Sequence, residues 1–137
     1  MRTWMTLVEG MTELSFLYHC SPAENFESIK QNGFDPTNSK WSKAVYLAGD
    51  EDHAGAYDGH HGQEASVMFA VEIAKIDQSR LTPDDVDLPD CLGEPDDWDQ
   101  FDWKESITIC GQCCYKGVIP PAAIFYRKGD EWISVTA

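Results

Sequence analysis

The residue types best suited to chemistry in this sequence are its five cysteines, Cys20, Cys91, Cys110, Cys113 and Cys114. Their odd number and irregular spacing argue against a framework of disulfides. Cys110 and Cys113 form a C-x-x-C pair, but a zinc site needs a second pair of ligands, and the spacing of His53, His60 and His61 supplies none. We therefore predict no metal site, and we expect buried free thiols.

Acidic side chains dominate the charge of the chain. It has 24 Asp and Glu against 10 Lys and Arg, for a formal net charge of -14. Because proteins bind nucleic-acid phosphates through clustered Lys and Arg, this charge argues against a nucleic-acid partner. It favours a basic protein partner, or a ligand held by local hydrogen-bond donors, although acidity also simply keeps a small protein soluble.

Residues 84–104 form an acidic insert that also contains Trp98, Phe101 and Trp103. One interpretation is a solvated, partly flexible loop. The other is a docking surface for a basic target, in which the three rings are apolar anchors inside a charged rim. The carboxylates lack the spacing of an EF-hand calcium loop.

The elements that must position these residues are predicted from apolar runs and from the residues that interrupt them. Ser21 and Pro22 suit the N-cap and first position of a helix, Asn32-Gly33 suits its end, and Asp50 is predicted to cap a second helix. Strands are predicted at residues 14–20, 45–48, 65–73, 106–109, 113–118, 123–127 and 131–135. The sequence therefore predicts an α+β fold with its helices mainly in the N-terminal half.

The length and hydrophobicity of the chain bound its organisation. Its 137 residues are the usual size of one domain, so residues 1–137 are predicted to form a single domain. It contains no apolar run of about eighteen residues, which predicts no membrane span. Residues 1–10 lack the long apolar core of a signal peptide, so we expect a cytoplasmic protein.

The order of three motifs resembles the ADP-ribosyltransferase superfamily. Tyr18-His19-Cys20-Ser21 precedes a helix that ends in Asn-Gly-Phe, Val45-Tyr46-Leu47-Ala48 precedes a helix with Ala54 and Tyr57, and residues 112–121 resemble the family's catalytic strand and exit turn. The compact layout is similar to DarT-type enzymes and to small phage-encoded anti-CRISPR ADP-ribosyltransferases. RNA 2'-phosphotransferases share the fold.

The resemblance implies a split, mixed or antiparallel β-sheet, NAD as co-substrate and a protein as the target. It also implies a cytoplasmic setting such as a bacterial toxin or phage–host conflict. An enzyme of this kind breaks the bond between ribose and nicotinamide through an oxocarbenium-like state, much as glycosidases do.

The resemblance also implies roles for individual residues. His19 would hydrogen-bond the adenosine ribose, Ser21 would hold the other ribose, and the backbone of Cys20 would contact the nicotinamide amide. Tyr46 would stack on the nicotinamide ring, and Tyr57 would form a second wall. Taken one at a time, Ser21 is also explained as a helix cap, and Tyr46 and Tyr57 as core aromatics.

The catalytic strand departs from the family pattern. Relatives carry a Glu there, and the two alignments place either Gln112 or Cys114 at that position, so neither supplies a carboxylate. A glutamine hydrogen-bonds a ribose hydroxyl but carries no charge to stabilise an oxocarbenium ion. Asp50, Glu64 and Glu105 are the candidates for a carboxylate recruited from elsewhere in the chain.

Two other functions remain open from the sequence. A catalytically weak or inactive module of the same fold would use its acidic surface to bind a basic protein or to mimic nucleic acid. An RNA 2'-phosphotransferase would need clustered cations for the RNA phosphate, and the available lysines are scattered. These are Lys40, Lys43, Lys104 and Lys116.

Overall fold

The computed structural model describes residues 14–38, 44–55, 66–93 and 95–137. Within these ranges it contains seven β-strands and four α-helices, which confirms the predicted α+β class. In chain order they are β1 Phe16–Pro22, α1 Phe26–Asn32, β2 Val45–Ala48, α2 Glu51–Gly55, β3 Ser66–Glu72, β4 Leu81–Pro83, α3 Asp87–Cys91, α4 Trp103–Cys110, β5 Gln112–Tyr115, β6 Ile124–Lys128 and β7 Glu131–Ser134. No helix in these ranges is long and apolar enough to cross a membrane.

The strands form one open sheet in the order β4-β5-β2-β1-β3-β6-β7, and every pairing is antiparallel. The pairing of β1 with β3 is continuous from Phe16↔Glu72 to Pro22↔Ser66. In contrast, the described residues of β1 and β2 pair only at Tyr18↔Ala48. Among the described residues, the ladder between β1 and β2 is therefore the shortest in the sheet, and we call this place the β1/β2 junction.

The register divides the side chains between two faces of the sheet, because residues directly opposite each other in a ladder point the same way. The core face carries Leu17, Leu47 and Phe69, which are 0%, 1% and 0% exposed. Helix α1 covers this face through Ile29, which belongs to the same hydrophobic cluster. The second face carries the alternate residues of each strand, including Tyr18, Tyr46, Ala48, Gln112 and Cys114.

The start of α1 differs from the sequence prediction. Ser21 and Pro22 belong to β1, and a 3-10 turn at Ala23–Asn25 leads into the helix without a side-chain cap. The Ser21 hydroxyl instead accepts a hydrogen bond from the Asn25 side-chain amide at 3.1 Å. The N-cap prediction for Ser21 is wrong because the ladder with β3 continues through it. The predicted helix end is confirmed at Gly33, where φ is 74° and a Cβ would overlap the carbonyl oxygen of Ile119.

The prediction that helices lie mainly in the N-terminal half is wrong, because α3 and α4 lie in the second half. The strand predicted at residues 106–109 is part of α4. Asp102 accepts a hydrogen bond from the Glu105 backbone N–H, and Glu105 accepts one from that of Asp102, so a complete capping box starts the helix. Gly111, with φ 85°, ends it. The β-branched Ile107 and Ile109 suggested a strand, but the two caps decide for a helix.

The described part of the acidic insert is folded against the rest of the chain. It contains α3, a 3-10 turn at Trp98–Gln100 and the first turn of α4. Trp98 and Phe101 are half-buried, and Trp103 packs against the hydrophobic core. These rings therefore do not stand out as freely exposed anchors.

Candidate functional site

The sequence-predicted site residues come together on the adjacent strands β1, β2 and β5. Tyr46 lies opposite Cys114, and Ala48 links Tyr18 of β1 to Gln112 of β5 across the second face. Cys20 has the parity of Tyr18 and shares this face. His19 and Ser21 have the opposite parity and point to the core face. Tyr57 lies outside the described residues.

His19 connects the two strands at the point where their backbone pairing stops. Its Nδ1 lies 2.8 Å from the carbonyl oxygen of Tyr46, and its half-buried ring lies 4.8 Å from the ring of Phe34 in the core. The imidazole therefore occupies a place that a backbone donor takes in a regular ladder. In this position His19 contacts the backbone of Tyr46 from the core face and helps to hold β2 beside β1.

Tyr46 is held on the second face by a carboxylate that sequence reasoning missed. Its hydroxyl donates a hydrogen bond to Oδ1 of Asp85 at 2.8 Å. The Lys116 Nζ lies 3.7 Å from the other carboxylate oxygen, and the Cys114 Sγ lies 4.0 Å from Oδ1. The signal in the sequence was limited to the acidic pair Asp84-Asp85, which directly follows the three-residue strand β4. The contact joins residues 39 positions apart, which local patterning does not show.

Gln112 is fixed at the start of β5 by helix α4. Its side chain is 7% exposed, and its carbonyl oxygen accepts a hydrogen bond from the Ser106 hydroxyl at 2.6 Å. The same hydroxyl accepts one from the backbone N–H of Asp84 at 3.0 Å. Ser106 thus holds the start of the catalytic-strand candidate beside the loop that carries Asp85.

Asp84 shapes that loop from inside the protein. Its side chain is 1% exposed, and Oδ1 accepts hydrogen bonds from the backbone N–H groups of Val86 and Asp87 at 2.8 and 2.6 Å. Its Oδ2 is buried without a hydrogen-bond partner among the described residues. Burial raises the pKa of the Asp84 carboxyl, and the two backbone donors only partly oppose this rise.

The thiols of Cys113 and Cys114 on β5 are expected to be unreactive. Burial raises the pKa of Cys114 to about 12 and that of Cys113 well above its usual 9.0. Both are therefore protonated at neutral pH and are poor nucleophiles. Cys20 is buried too, but Cys110 is only half-buried and Cys91 is exposed, so the prediction of buried thiols holds for three of the five cysteines. The described residues contain no group of three or more His, Cys, Asp or Glu that could hold a metal ion.

The carboxylates expected as replacements for the missing Glu have other contacts. Asp50 accepts a hydrogen bond from the His53 backbone N–H at 2.7 Å and lies 2.8 Å from the Nδ1 of His53. Glu105 belongs to the capping box of α4. Glu64 lies outside the described residues. Within the described ranges, the Asp85 carboxylate does contact a predicted site residue, Tyr46.

A shallow cleft opens beside Asp85. It has a volume of about 350 Å³ and is lined by Asp85, Val86, Asp87, Pro89 and Asp90. Three of the five lining side chains are carboxylates, so the cleft favours positively charged groups. In comparisons with known proteins, no family and no curated protein matches this chain. The geometry of the site is therefore the basis for assigning a function.

Proposed function

We propose that this protein is an NAD-dependent mono-ADP-ribosyltransferase that modifies a protein target. The observation that carries the proposal is that Tyr46 and Gln112, which are far apart in the sequence, lie on the same face of the adjacent strands β2 and β5, while His19 of β1 contacts the backbone of Tyr46 from the core face. The resemblance to that superfamily implies that the three motifs lie on neighbouring strands in this way.

The residues of the second face suit the nicotinamide half of NAD. The Tyr46 ring offers a flat apolar surface for stacking on nicotinamide, and the Gln112 amide can hydrogen-bond a ribose hydroxyl. The backbone of Cys20, on the neighbouring strand, is the candidate contact for the nicotinamide amide. His19 and Ser21 point to the core face, so His19 reaches the adenosine ribose, and Ser21 the nicotinamide-side ribose, only if the dinucleotide passes the β1/β2 junction toward that face. We therefore assign His19 a positioning role, in which its 2.8 Å contact with the carbonyl oxygen of Tyr46 holds Tyr46 in place.

The reaction needs one bond exchange at the ribose carbon that carries nicotinamide. The carbon–nitrogen bond breaks and its electron pair stays with nicotinamide, while a nucleophile of the target forms the new bond and loses a proton. The site contributes by orienting the two reactants and by stabilising the positive charge that develops on the ribose.

The target is expected to present a basic surface. The net charge of -14 and the three carboxylates of the cleft, Asp85, Asp87 and Asp90, favour such a partner. Val86 is 50% exposed between them and offers an apolar contact. The same cleft supports the second candidate function, a binding module that docks a basic protein without turnover.

Titration with NAD by calorimetry, with nicotinamide release followed in the same samples, separates the two candidates. Binding with release supports the transferase. Folded protein that neither binds nor cleaves NAD contradicts the transferase and favours the acidic binding module. Binding without release points to a site that needs its target before it turns over, which a search for basic protein targets then tests.

A further inference from the structure

We infer that Asp85 is a catalytic residue of this site and that its carboxylate stabilises the positive charge on the ribose during bond cleavage. The inference rests on the proposed function and adds a residue to it. It starts from a chemical gap, because cleavage of a glycosidic bond through an oxocarbenium-like state calls for a carboxylate near the ribose ring. The predicted residue at this place, Gln112, is neutral.

The contacts of Asp85 place its carboxylate in the site. Oδ1 accepts the hydrogen bond from the Tyr46 hydroxyl and lies 4.0 Å from the Sγ of Cys114. Cys114 lies two residues from Gln112 on the same face of β5, directly opposite Tyr46. Asp85 therefore bridges β2 and β5 beside the side chains proposed to contact nicotinamide and ribose.

The Asp85 carboxylate is held by two contacts and is still partly exposed to solvent. The Tyr46 hydroxyl and the Lys116 ammonium, 3.7 Å from Oδ2, hold the carboxylate in one orientation. Its side chain is 23% exposed and forms one wall of the 350 Å³ cleft. The carboxylate is therefore accessible from the cleft side without a rearrangement of the strands. On its other side Asp85 contacts Cys114, which is fully buried, and electrostatic interactions are stronger beside such a low-dielectric surface than in water.

The balanced step with water as acceptor is hydrolysis of NAD. The ribose–nicotinamide bond breaks, both electrons remain on the nicotinamide nitrogen, and the carboxylate of Asp85 faces the cationic ribose carbon. Water then forms the new bond to that carbon and releases one proton to solvent. The products are ADP-ribose, nicotinamide and a proton, so no oxidant, reductant or further reactant is needed.

The test compares Asp85→Asn with the unmodified chain by calorimetry with NAD and by the rate of nicotinamide release. We expect release to fall by about a hundredfold or more, since removal of one group that stabilises transition-state charge has effects of this size. Affinity for NAD should stay within about threefold, because the lost interaction acts mainly on the transition state. Asp99→Asn, which removes the same charge from an exposed 3-10 turn, should leave both quantities unchanged.

The outcomes separate the inference from the proposed function. If the unmodified chain cleaves NAD and Asp85→Asn cleaves it at the same rate, the role of Asp85 is overturned and the transferase stands. If the unmodified chain neither binds nor cleaves NAD, both are overturned. Should Asp85→Asn fail to fold, Asp85→Ser replaces it, because it also removes the carboxylate: a loss of release at unchanged affinity supports the role, and an unchanged rate refutes it.

Discussion

The Ser106 hydroxyl donates a hydrogen bond of 2.6 Å to the carbonyl oxygen of Gln112 and so fastens helix α4 to the first residue of β5. The hydroxyl is fully buried and also accepts the backbone N–H of Asp84. One side chain therefore satisfies two backbone groups that have no access to water.

Ser106→Ala tests the importance of this link. Removal of the hydroxyl takes the acceptor from the buried N–H of Asp84 and the 2.6 Å donor from the carbonyl oxygen of Gln112, which keeps the longer 3.7 Å contact with the Sγ of Cys110. The free energy of unfolding should therefore fall by about 1–3 kcal/mol. Urea unfolding measures the change. Thr108→Ala, at an exposed position of the same helix, should cost less than about 0.5 kcal/mol. Equal losses in the two variants would contradict a special role for Ser106.

Asp84 makes the stability depend on pH. Because burial raises its pKa above the usual 3.8, the folded state binds the proton more tightly than the unfolded state. Its contribution is therefore fully present below pH 3.8 and is lost as the pH rises through the folded pKa. Asp84→Asn keeps an acceptor oxygen for Val86 and Asp87 and stays neutral, so it should raise Tm at pH 7.

Thermal unfolding at pH 7 and at pH 3 measures the effect of Asp84→Asn. The gain in Tm should shrink or disappear at pH 3, where the Asp84 carboxyl is protonated in both states. Asp99→Asn is the matched control and should show no such pH dependence. A lower Tm for Asp84→Asn at pH 7 would mean that the charge on Asp84 stabilises its loop.

The thiols should differ widely in reactivity. Burial raises the pKa of Cys114 to about 12 and that of Cys113 well above its usual value, so both stay protonated, whereas Cys91 is exposed. A maleimide at pH 7.5 should modify Cys91 first and should reach Cys113 and Cys114 only after unfolding. Peptide mass spectrometry locates the label, and Cys91→Ser should remove the fast phase. Early labelling of Cys114 would contradict its burial.

Tyr46 should contribute to NAD binding through its ring and not through its hydroxyl. Tyr46→Ala removes the stacking surface and should weaken NAD binding by at least about tenfold, or 1.4 kcal/mol. Tyr46→Phe keeps the ring and removes only the donor to Asp85, so its affinity should remain near that of the unmodified chain. Calorimetry measures both affinities, and circular dichroism checks the fold. Unchanged affinity in folded Tyr46→Ala would remove Tyr46 from the binding site.

Gln112→Glu should rescue the loss caused by Asp85→Asn. A carboxylate at position 112 lies on the same face of β5 and would again place negative charge near the ribose, so nicotinamide release should recover at least about tenfold. Gln100→Glu in the same background adds an exposed charge elsewhere and should restore nothing. Absence of rescue in a folded double variant would indicate that Gln112 does not contact the ribose.

Several strands follow short apolar runs that are visible in the sequence. The strand predicted at residues 45–48 coincides with β2, and those at 65–73, 123–127 and 131–135 appear as β3, β6 and β7 with ends shifted by at most one residue. The strand predicted at 14–20 appears as β1, shifted by two residues. The stop at Gly33 was also predictable, because glycine suits positive φ. In contrast, α4 was missed because its Ile-rich sequence favours a strand, and only the pairing of Asp102 with Glu105 identifies its start.

The site was only partly predictable for a similar reason. Motif order indicated Tyr46 and Gln112, and the register places them on one face. The face of His19 depends on β1 pairing with β3, and the contact of Asp85 with Tyr46 depends on how the loop after β4 folds back over the sheet. Both are long-range features that no local pattern contains.

The short β1/β2 junction has a consequence for how ligand binding would change the rigidity of the sheet. One part of the sheet, β4-β5-β2, meets the other, β1-β3-β6-β7, at Tyr18↔Ala48 and through the His19 contact. A dinucleotide that touched Cys20 on one side and Tyr46 on the other would act as an additional cross-tie. Amide hydrogen exchange in β2 and β5 should then slow on binding more than that in β3 and β6, so that ligand occupancy is read as local rigidity.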